Sequence, residues 1–151
     1  MLTADDRLEI FSLYARYSWA VDFGDCDAYA ACFAPDAVVL GRSIGEVRGR
    51  EQISKIPAVN SRHRTKHVTT NMLVEGDGDQ ASGRAYFVYL TAPIDRGLKV
   101  SLSGEYHDRF RRDQGEWLIT ERRTVYEEGW WDPDSFPPKF DLSEPPMTTL
   151  G

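Results

Sequence analysis

The chain has 151 residues, of which 41% are hydrophobic and 12% aromatic, and its formal net charge at pH 7 is −6. This length suits one compact domain with a sizeable core, so we expect a single domain over residues 1–151. The acidic balance lacks the basic surplus that binds phosphate backbones and anionic membranes, which argues against nucleic-acid and membrane partners. A small neutral or hydrophobic molecule fits this composition better.

The N-terminus and the cysteines both favour a cytoplasmic protein. The opening stretch MLTADDRLEI is acidic where a signal peptide is basic. No apolar run approaches the roughly 18 residues of a membrane span. Cys26 and Cys32 are neither a CxxC redox pair nor at a zinc spacing, so we expect free thiols.

A long first helix is predicted from Ala4 to about Phe23, with Thr3 as its N-cap and Gly24 at its end. Residues at helical spacing predict its apolar face. These residues are Leu8, Phe11, Ala15 and Ser18, with Ile10, Tyr14, Tyr17 and Val21 widening the face.

Shorter elements follow this helix. A second helix runs through AYAACF and is stopped by Pro35, and a short strand follows in AVVL. A third helix is predicted from Gly49 to about Ile56, with Pro57 ending it.

From His67 onward the hydrophobic pattern changes to a period of two, which is typical of strands. Glycine- and aspartate-containing turns separate four such segments: HVTTNMLVE, QASGRAYFVYLT, GLKVSLSGEYHDRFRR and EWLITERRTVYEE. We therefore expect an α+β fold, with N-terminal helices packed in the concave face of a curved antiparallel sheet, forming a cone-shaped α+β barrel with a cavity.

The last segment, residues 129–151, contains five of the eight prolines and several aromatic residues. Proline at this density excludes a continuous helix or strand. We expect a tail that packs on the body of the domain, either as a lid or as a subunit contact.

Asp22 is the first candidate catalytic residue, because helical spacing places it beside Ser18 at the edge of the predicted apolar face. A buried carboxylate must be protonated, accept hydrogen bonds or face a cation. The alternative is that Asp22 only helps to end the helix near Gly24.

His67 is the second candidate, because strand alternation places His67, Thr69 and Asn71 on one face. Such a face meets either solvent or a polar pocket. If His67 meets Asp22, the carboxylate holds one imidazole nitrogen and the other can act as a general base.

Aromatic residues and one arginine are the candidates for substrate binding. A buried tyrosine can present its hydroxyl to a ligand, and Tyr17 is favoured because it lies near Asp22 in sequence. Arg123 alternates in phase with Trp117 and Ile119, so it either stabilises an oxyanion or pairs with a glutamate. The remaining candidates are Trp19, Tyr29, Tyr89 and Trp130.

Motifs for nucleotides, serine nucleophiles and zinc are absent, and we expect neither a cofactor nor a metal. The segments YARYSWAVDFGD, FAPDAVV, VRGREQI, HRTKHVTTNMLVEGDGDQASGRAYF and GEYHDRFRRDQGEWLITERR instead resemble the SnoaL-like family of the nuclear-transport-factor-2-like superfamily. This resemblance runs from about Asp5 to Tyr126.

The resemblance implies a function. In the branches that contain scytalone dehydratase and hexachlorocyclohexane dehydrochlorinase, an aspartate ending the first helix pairs with a histidine opening a strand. Those positions match Asp22 and His67, with Asn71 as a substrate-orienting neighbour.

We therefore expect a cofactor-independent lyase of the dehydratase type, acting on a small hydrophobic compound that is aromatic or cyclic. An isomerase that uses the same pair, or a non-catalytic ligand-binding or dimerisation module, are the alternatives. The exposed face of an extended sheet also predicts a homodimer or homotrimer.

Overall fold

The structure is a computed structural model, and it describes residues 1–60, 65–92 and 97–127. The described chain begins with helix α1 (Ala4–Phe23) and helix α2 (Cys26–Ala31), followed by strands β1 (Phe33–Gly41) and β2 (Gly45–Arg48). Two short helices follow, α3 (Arg50–Ile53) and α4 (Ile56–Asn60). The remaining strands are β3 (Thr65–Asp77), β4 (Gln80–Thr91), β5 (Lys99–Asp113) and β6 (Glu116–Tyr126).

Helix α1 begins at a capping box. The Thr3 side chain accepts a hydrogen bond from the Asp6 backbone, and the Asp6 carboxylate accepts one from the Thr3 backbone at 2.8 Å. Gly24 ends the helix in a left-handed conformation, φ 73°, which glycine adopts without steric cost. The predicted bounds of this helix are confirmed.

The inward face of α1 differs in part from the predicted face. Ser18 and the widening residues Ile10, Tyr14, Tyr17 and Val21 are buried, as predicted. The prediction was wrong for Leu8 and Ala15, which are exposed. Both stripes have helical spacing, and the packing of α1 against β3 and β6 selects one of them.

The predicted third helix is two short helices separated by Ser54 and Lys55. Pro57 lies in the first turn of α4, where a missing N–H costs no helical hydrogen bond, and so it does not end a helix. Pro35 lies in β1, and α2 already ends at Ala31. Strand β2, which pairs with β1, was missing from the prediction.

Six strands in the described part of the chain form one sheet in the order β2-β1-β6-β5-β4-β3. Strands β3 to β6 form the predicted antiparallel meander, and β1 joins β6 in parallel. The sheet is curved and unclosed, with the helices on its concave side, which confirms the α+β prediction. Among the residues that the structure describes, no helix has both the length and the apolar character needed to cross a membrane.

Candidate active site

The Asp22 carboxylate, at the end of α1, accepts three hydrogen bonds from the first residues of β3. Its Oδ2 accepts the backbone N–H of His67 at 2.9 Å, and its Oδ1 accepts the Thr65 hydroxyl at 3.2 Å. The third contact joins Oδ1 to His67 Nδ1 at 2.7 Å. Only 6% of the Asp22 side chain is exposed, so this carboxylate is held by its partners instead of by water.

His67 is fixed on several sides. Its ring lies edge-on to the rings of Tyr89, with centroids 4.8 Å apart, and Tyr17, with centroids 6.4 Å apart. The Asp22 carboxylate can only accept at Nδ1, so in the neutral imidazole this nitrogen carries the proton and Nε2 has the lone pair. The structure thus brings together the two candidate catalytic residues, in the geometry of an oriented base.

A cavity of about 70 Å³ lies beside His67 between the helices and the sheet. Tyrosines dominate its wall within the described residues, and we call these the cavity tyrosines: Tyr17, Tyr29, Tyr89, Tyr106 and Tyr126. Apolar side chains such as Val21, Val39 and Leu102 complete the wall. His67 supplies the one imidazole among the described residues that line this cavity.

Burial raises the pKa of four cavity tyrosines above the ordinary value, and desolvation of the phenolate is the main cause. These residues are Tyr29, Tyr89, Tyr106 and Tyr126. Their hydroxyls are therefore neutral at physiological pH, and each can donate one hydrogen bond. The cavity thus combines one oriented imidazole with several phenol donors.

Arg122 is a buried residue that the prediction missed. Its side chain is 0% exposed and donates from Nε and Nη2 to the two carboxylate oxygens of Asp108, at 2.8 Å each. The prediction had assigned the inward position to Arg123. That assignment is wrong, because the register between β5 and β6 shifts before Arg123. Arg109 pairs with Glu121 and Phe110 pairs with Ile119, so Thr120 has no partner on β5.

The extra residue is a β-bulge, and it reverses the side-chain alternation beyond Thr120. Arg122 therefore points inward, whereas 56% of the Arg123 side chain is exposed. Arg123 lies 3.9 Å from Glu121, which is the pairing alternative of the sequence analysis. A bulge without glycine leaves little signal in a sequence. The two successive arginines of TERRTV were the one hint that Arg122, and not Arg123, could be the buried residue.

Asn71 is displaced from the site by a second bulge. The register of β3 against β4 shifts between Thr70 and Leu73, and Asn71 adopts a left-handed conformation with φ 53°. Asparagine tolerates this conformation better than most residues. Asn71 is exposed and does not line the cavity, so the predicted shared face of His67, Thr69 and Asn71 ends at Thr69.

Trp19 is also outside the cavity. Its side chain is 68% exposed and stacks on Phe23 on the outer side of α1, with ring centroids 5.3 Å apart. Tyr17, Tyr29 and Tyr89 do line the cavity, as described above. Trp130 and the rest of the predicted tail, residues 129–151, lie outside the described residues.

Within the three described ranges, no group of three or more His, Cys, Asp or Glu side chains could hold a metal ion. Cys26 and Cys32 are both free thiols.

Similar proteins place this chain in a family. The SnoaL-like domain family matches residues 2–123. An uncharacterized protein of Mycobacterium tuberculosis is 32% identical over 127 residues, which cover 78% of this chain and 82% of that protein.

Two solved structures have the same fold. A protein of unknown function from Mycobacterium tuberculosis is 33% identical with a TM-score of 0.77, covering 83% of this chain and 78% of its own. A protein of Novosphingobium aromaticivorans, proposed to be a scytalone dehydratase, has a TM-score of 0.72 at 19% identity, covering 82% of this chain and 85% of its own. The chain is therefore a member of the SnoaL-like domain family.

Proposed function

We propose that this protein is a cofactor-independent lyase of the dehydratase type that acts on a small hydrophobic compound, aromatic or cyclic. The observation that supports it most directly is the 2.7 Å contact between Asp22 and His67 at the wall of the cavity. In this proposal His67 is the general base and Asp22 orients it. Such a base contributes roughly 10²–10⁴ in rate.

The chemistry is an elimination. His67 Nε2 removes a proton from the carbon next to a carbonyl group, and the electron pair of the C–H bond moves toward the carbonyl oxygen. The electron pair then returns from the oxygen to form the C=C bond as the C–O bond on the neighbouring carbon breaks, and the hydroxyl group leaves as water. Its proton comes from the imidazolium, either directly or through a cavity phenol that the imidazolium reprotonates. Asp22 stabilises the imidazolium between the two steps, because its carboxylate accepts the Nδ1–H.

The residues that line the cavity favour a neutral substrate. No Lys, Arg, Asp or Glu occurs among the described residues that line it, so a charged substrate would lose its hydration without gaining a partner. Aromatic rings and branched apolar side chains suit a hydrophobic ring, and phenol hydroxyls suit its oxygen atoms. A volume of about 70 Å³ argues against fused rings.

A panel of one-ring β-hydroxy ketones tests this proposal, because dehydration produces a conjugated enone that absorbs in the ultraviolet. We expect turnover by the wild-type protein and a large loss in His67→Gln. Trp19→Ala is the matched control, since this substitution removes a large aromatic group outside the cavity and should leave turnover unchanged. Equal turnover in wild type and His67→Gln would refute the role of the base.

The same panel in deuterated water separates elimination from isomerisation. Both reactions begin with proton abstraction, so the presence of the base does not distinguish them. A product of lower mass by one water molecule supports the lyase. A product of unchanged formula with deuterium on a second carbon would instead identify an isomerase.

A further inference from the structure

The Asp108–Arg122 ion pair is buried next to the candidate site but outside its cavity. Both side chains are 0% exposed, and Asp108 accepts from Nε and Nη2 of Arg122. Removing two charges from water is costly, so a buried ion pair contributes little net stability. The contacts of the guanidinium indicate a role other than stability.

The Arg122 guanidinium lies over the rings of two cavity tyrosines. Its central carbon is 3.9 Å from the ring centroid of Tyr17 and 4.1 Å from that of Tyr106. Tyr17 and Tyr106 line the cavity, whereas Arg122 does not. One layer of aromatic rings thus separates a buried cation from the space beside His67.

Arg122 Nη1 has no hydrogen-bond partner among the described residues, although it is fully buried. The guanidinium therefore interacts with its surroundings through Asp108 on one side and through ring faces on the other. A cation over a ring face is attracted by the electron density of that ring, and the attraction is larger when water is excluded.

Building on the proposed function, we infer that the Asp108–Arg122 pair is a positioning element, which holds Tyr17 and Tyr106 and makes their hydroxyls stronger hydrogen-bond donors toward a substrate oxygen that gains negative charge. The substrate class that follows is a carbonyl compound whose oxygen becomes an enolate when His67 removes the neighbouring proton. Arg122 acts through the two tyrosines and does not touch the substrate.

The electrostatics of the cluster agree with this role. Burial raises the pKa of Tyr106, and the charge of Arg122 acts in the opposite direction and lowers it. Arg122 has the same lowering effect on the pKa of Tyr29 and of Tyr14, whose ring centroid is 5.2 Å away. Burial raises the pKa of Tyr14 most, and the raising effect of Asp108 there exceeds the lowering effect of Arg122, so the pair acts as an oriented dipole and not as a free cation.

The experiment removes the pair as a unit. Arg122→Met alone would leave Asp108 buried without a partner, which destabilises the fold, whereas Asp108→Leu with Arg122→Met replaces both charges by apolar groups. The matched control is Asp36→Leu with Arg111→Met, because Asp36 and Arg111 form an ion pair at 2.9 Å that lies at the surface.

The readout is phenol ionisation, which needs no substrate. Replacing all tyrosines with 3-fluorotyrosine lowers the pH range of phenol ionisation, and ¹⁹F NMR then reports each ring separately. Tyr106→Phe identifies the signal of that ring. We expect the ionisation midpoint of Tyr106 to rise by about one pH unit or more in the pair-deleted protein, and not in the control.

An unchanged midpoint of Tyr106 in the pair-deleted protein would overturn this inference. If that protein does not fold, Arg122→Lys supplies the test, since it keeps a positive charge behind the rings. A Tyr106 midpoint near that of the wild type supports the inference, and a rise as large as one unit overturns it. Turnover is measured in parallel and should fall about tenfold with the pair deleted. Absence of turnover in the wild type would refute the lyase proposal alone.

Discussion

Asp22→Asn is the sharpest test of the candidate site, because an amide has one acceptor where the carboxylate has two. In the wild type, one oxygen accepts the backbone N–H of His67 and the other accepts from Thr65 and from Nδ1 of His67. The backbone N–H of His67 cannot rotate away, so it retains the side-chain amide oxygen of the variant as its acceptor. The amide NH₂ then faces Nδ1 and forces the proton of the imidazole onto Nε2.

This change of tautomer removes the lone pair that the proposed base needs. The expected loss is therefore the whole contribution of general-base catalysis, roughly 10²–10⁴ in turnover, which corresponds to about 3–5 kcal/mol of activation free energy. The variant also loses a charge-assisted hydrogen bond, so its free energy of unfolding should fall by about 1.5–3 kcal/mol.

Two measurements check this prediction. ¹⁵N NMR of the imidazole distinguishes the two tautomers of His67, and the enone assay measures turnover. Ser18→Ala is the matched control, because Ser18 lies one helical turn before Asp22 and contacts Thr69 of the same strand at 3.1 Å. Wild-type turnover in Asp22→Asn, with the proton still on Nδ1, would refute the reasoning.

Three further predictions concern stability and assembly. The four cavity tyrosines with raised pKa keep protons that the unfolded chain loses at high pH. Their contribution to the free energy of unfolding is therefore fully present below about pH 10, and above it the free energy should fall by about 1.4 kcal/mol per pH unit for each phenol. Denaturant unfolding at pH 9 and 11 measures this loss, and equal stability at the two pH values would contradict it. Gly104→Ala places a methyl group against the carbonyl oxygen of Val125, so it should destabilise the fold by about 1–3 kcal/mol in chemical denaturation, while Ser103→Ala should cost less. Leu73 and Tyr86 expose apolar surface on the sheet, and we predict a homodimer or homotrimer through this face that Tyr86→Lys dissociates in sedimentation velocity; a monomeric wild type would count against it.

Much of the site could be predicted from residues at ends of elements. Asp22 follows an apolar helical stripe and precedes a glycine, and His67 opens a run of period two, so each was identifiable as a polar group at the edge of a core. Their contact is a different matter, because it joins residues 45 apart along the chain. The resemblance to a known family supplied that contact, since neither helical nor strand periodicity contains it.

The errors have a common physical cause. Strand alternation predicts faces correctly only while the register is unbroken, and bulges at Thr120 and near Asn71 each add one residue and reverse the faces beyond them. Arg123 and Asn71 were therefore placed inside, and Arg122 was overlooked. Trp19 was misplaced because an aromatic residue on a helix looks the same in sequence whether it faces a cavity or solvent.

The sequence by itself determined the long capped helix, the four-strand meander and the two residues of the candidate base, because these depend on local periodicity and on turn and cap chemistry. Tertiary structure alone decided which stripe of α1 is buried, which arginine of the TERRTV stretch lies behind the cavity and which tyrosines surround it. Those outcomes depend on register and packing between segments distant in the chain, and a single shifted residue reverses them.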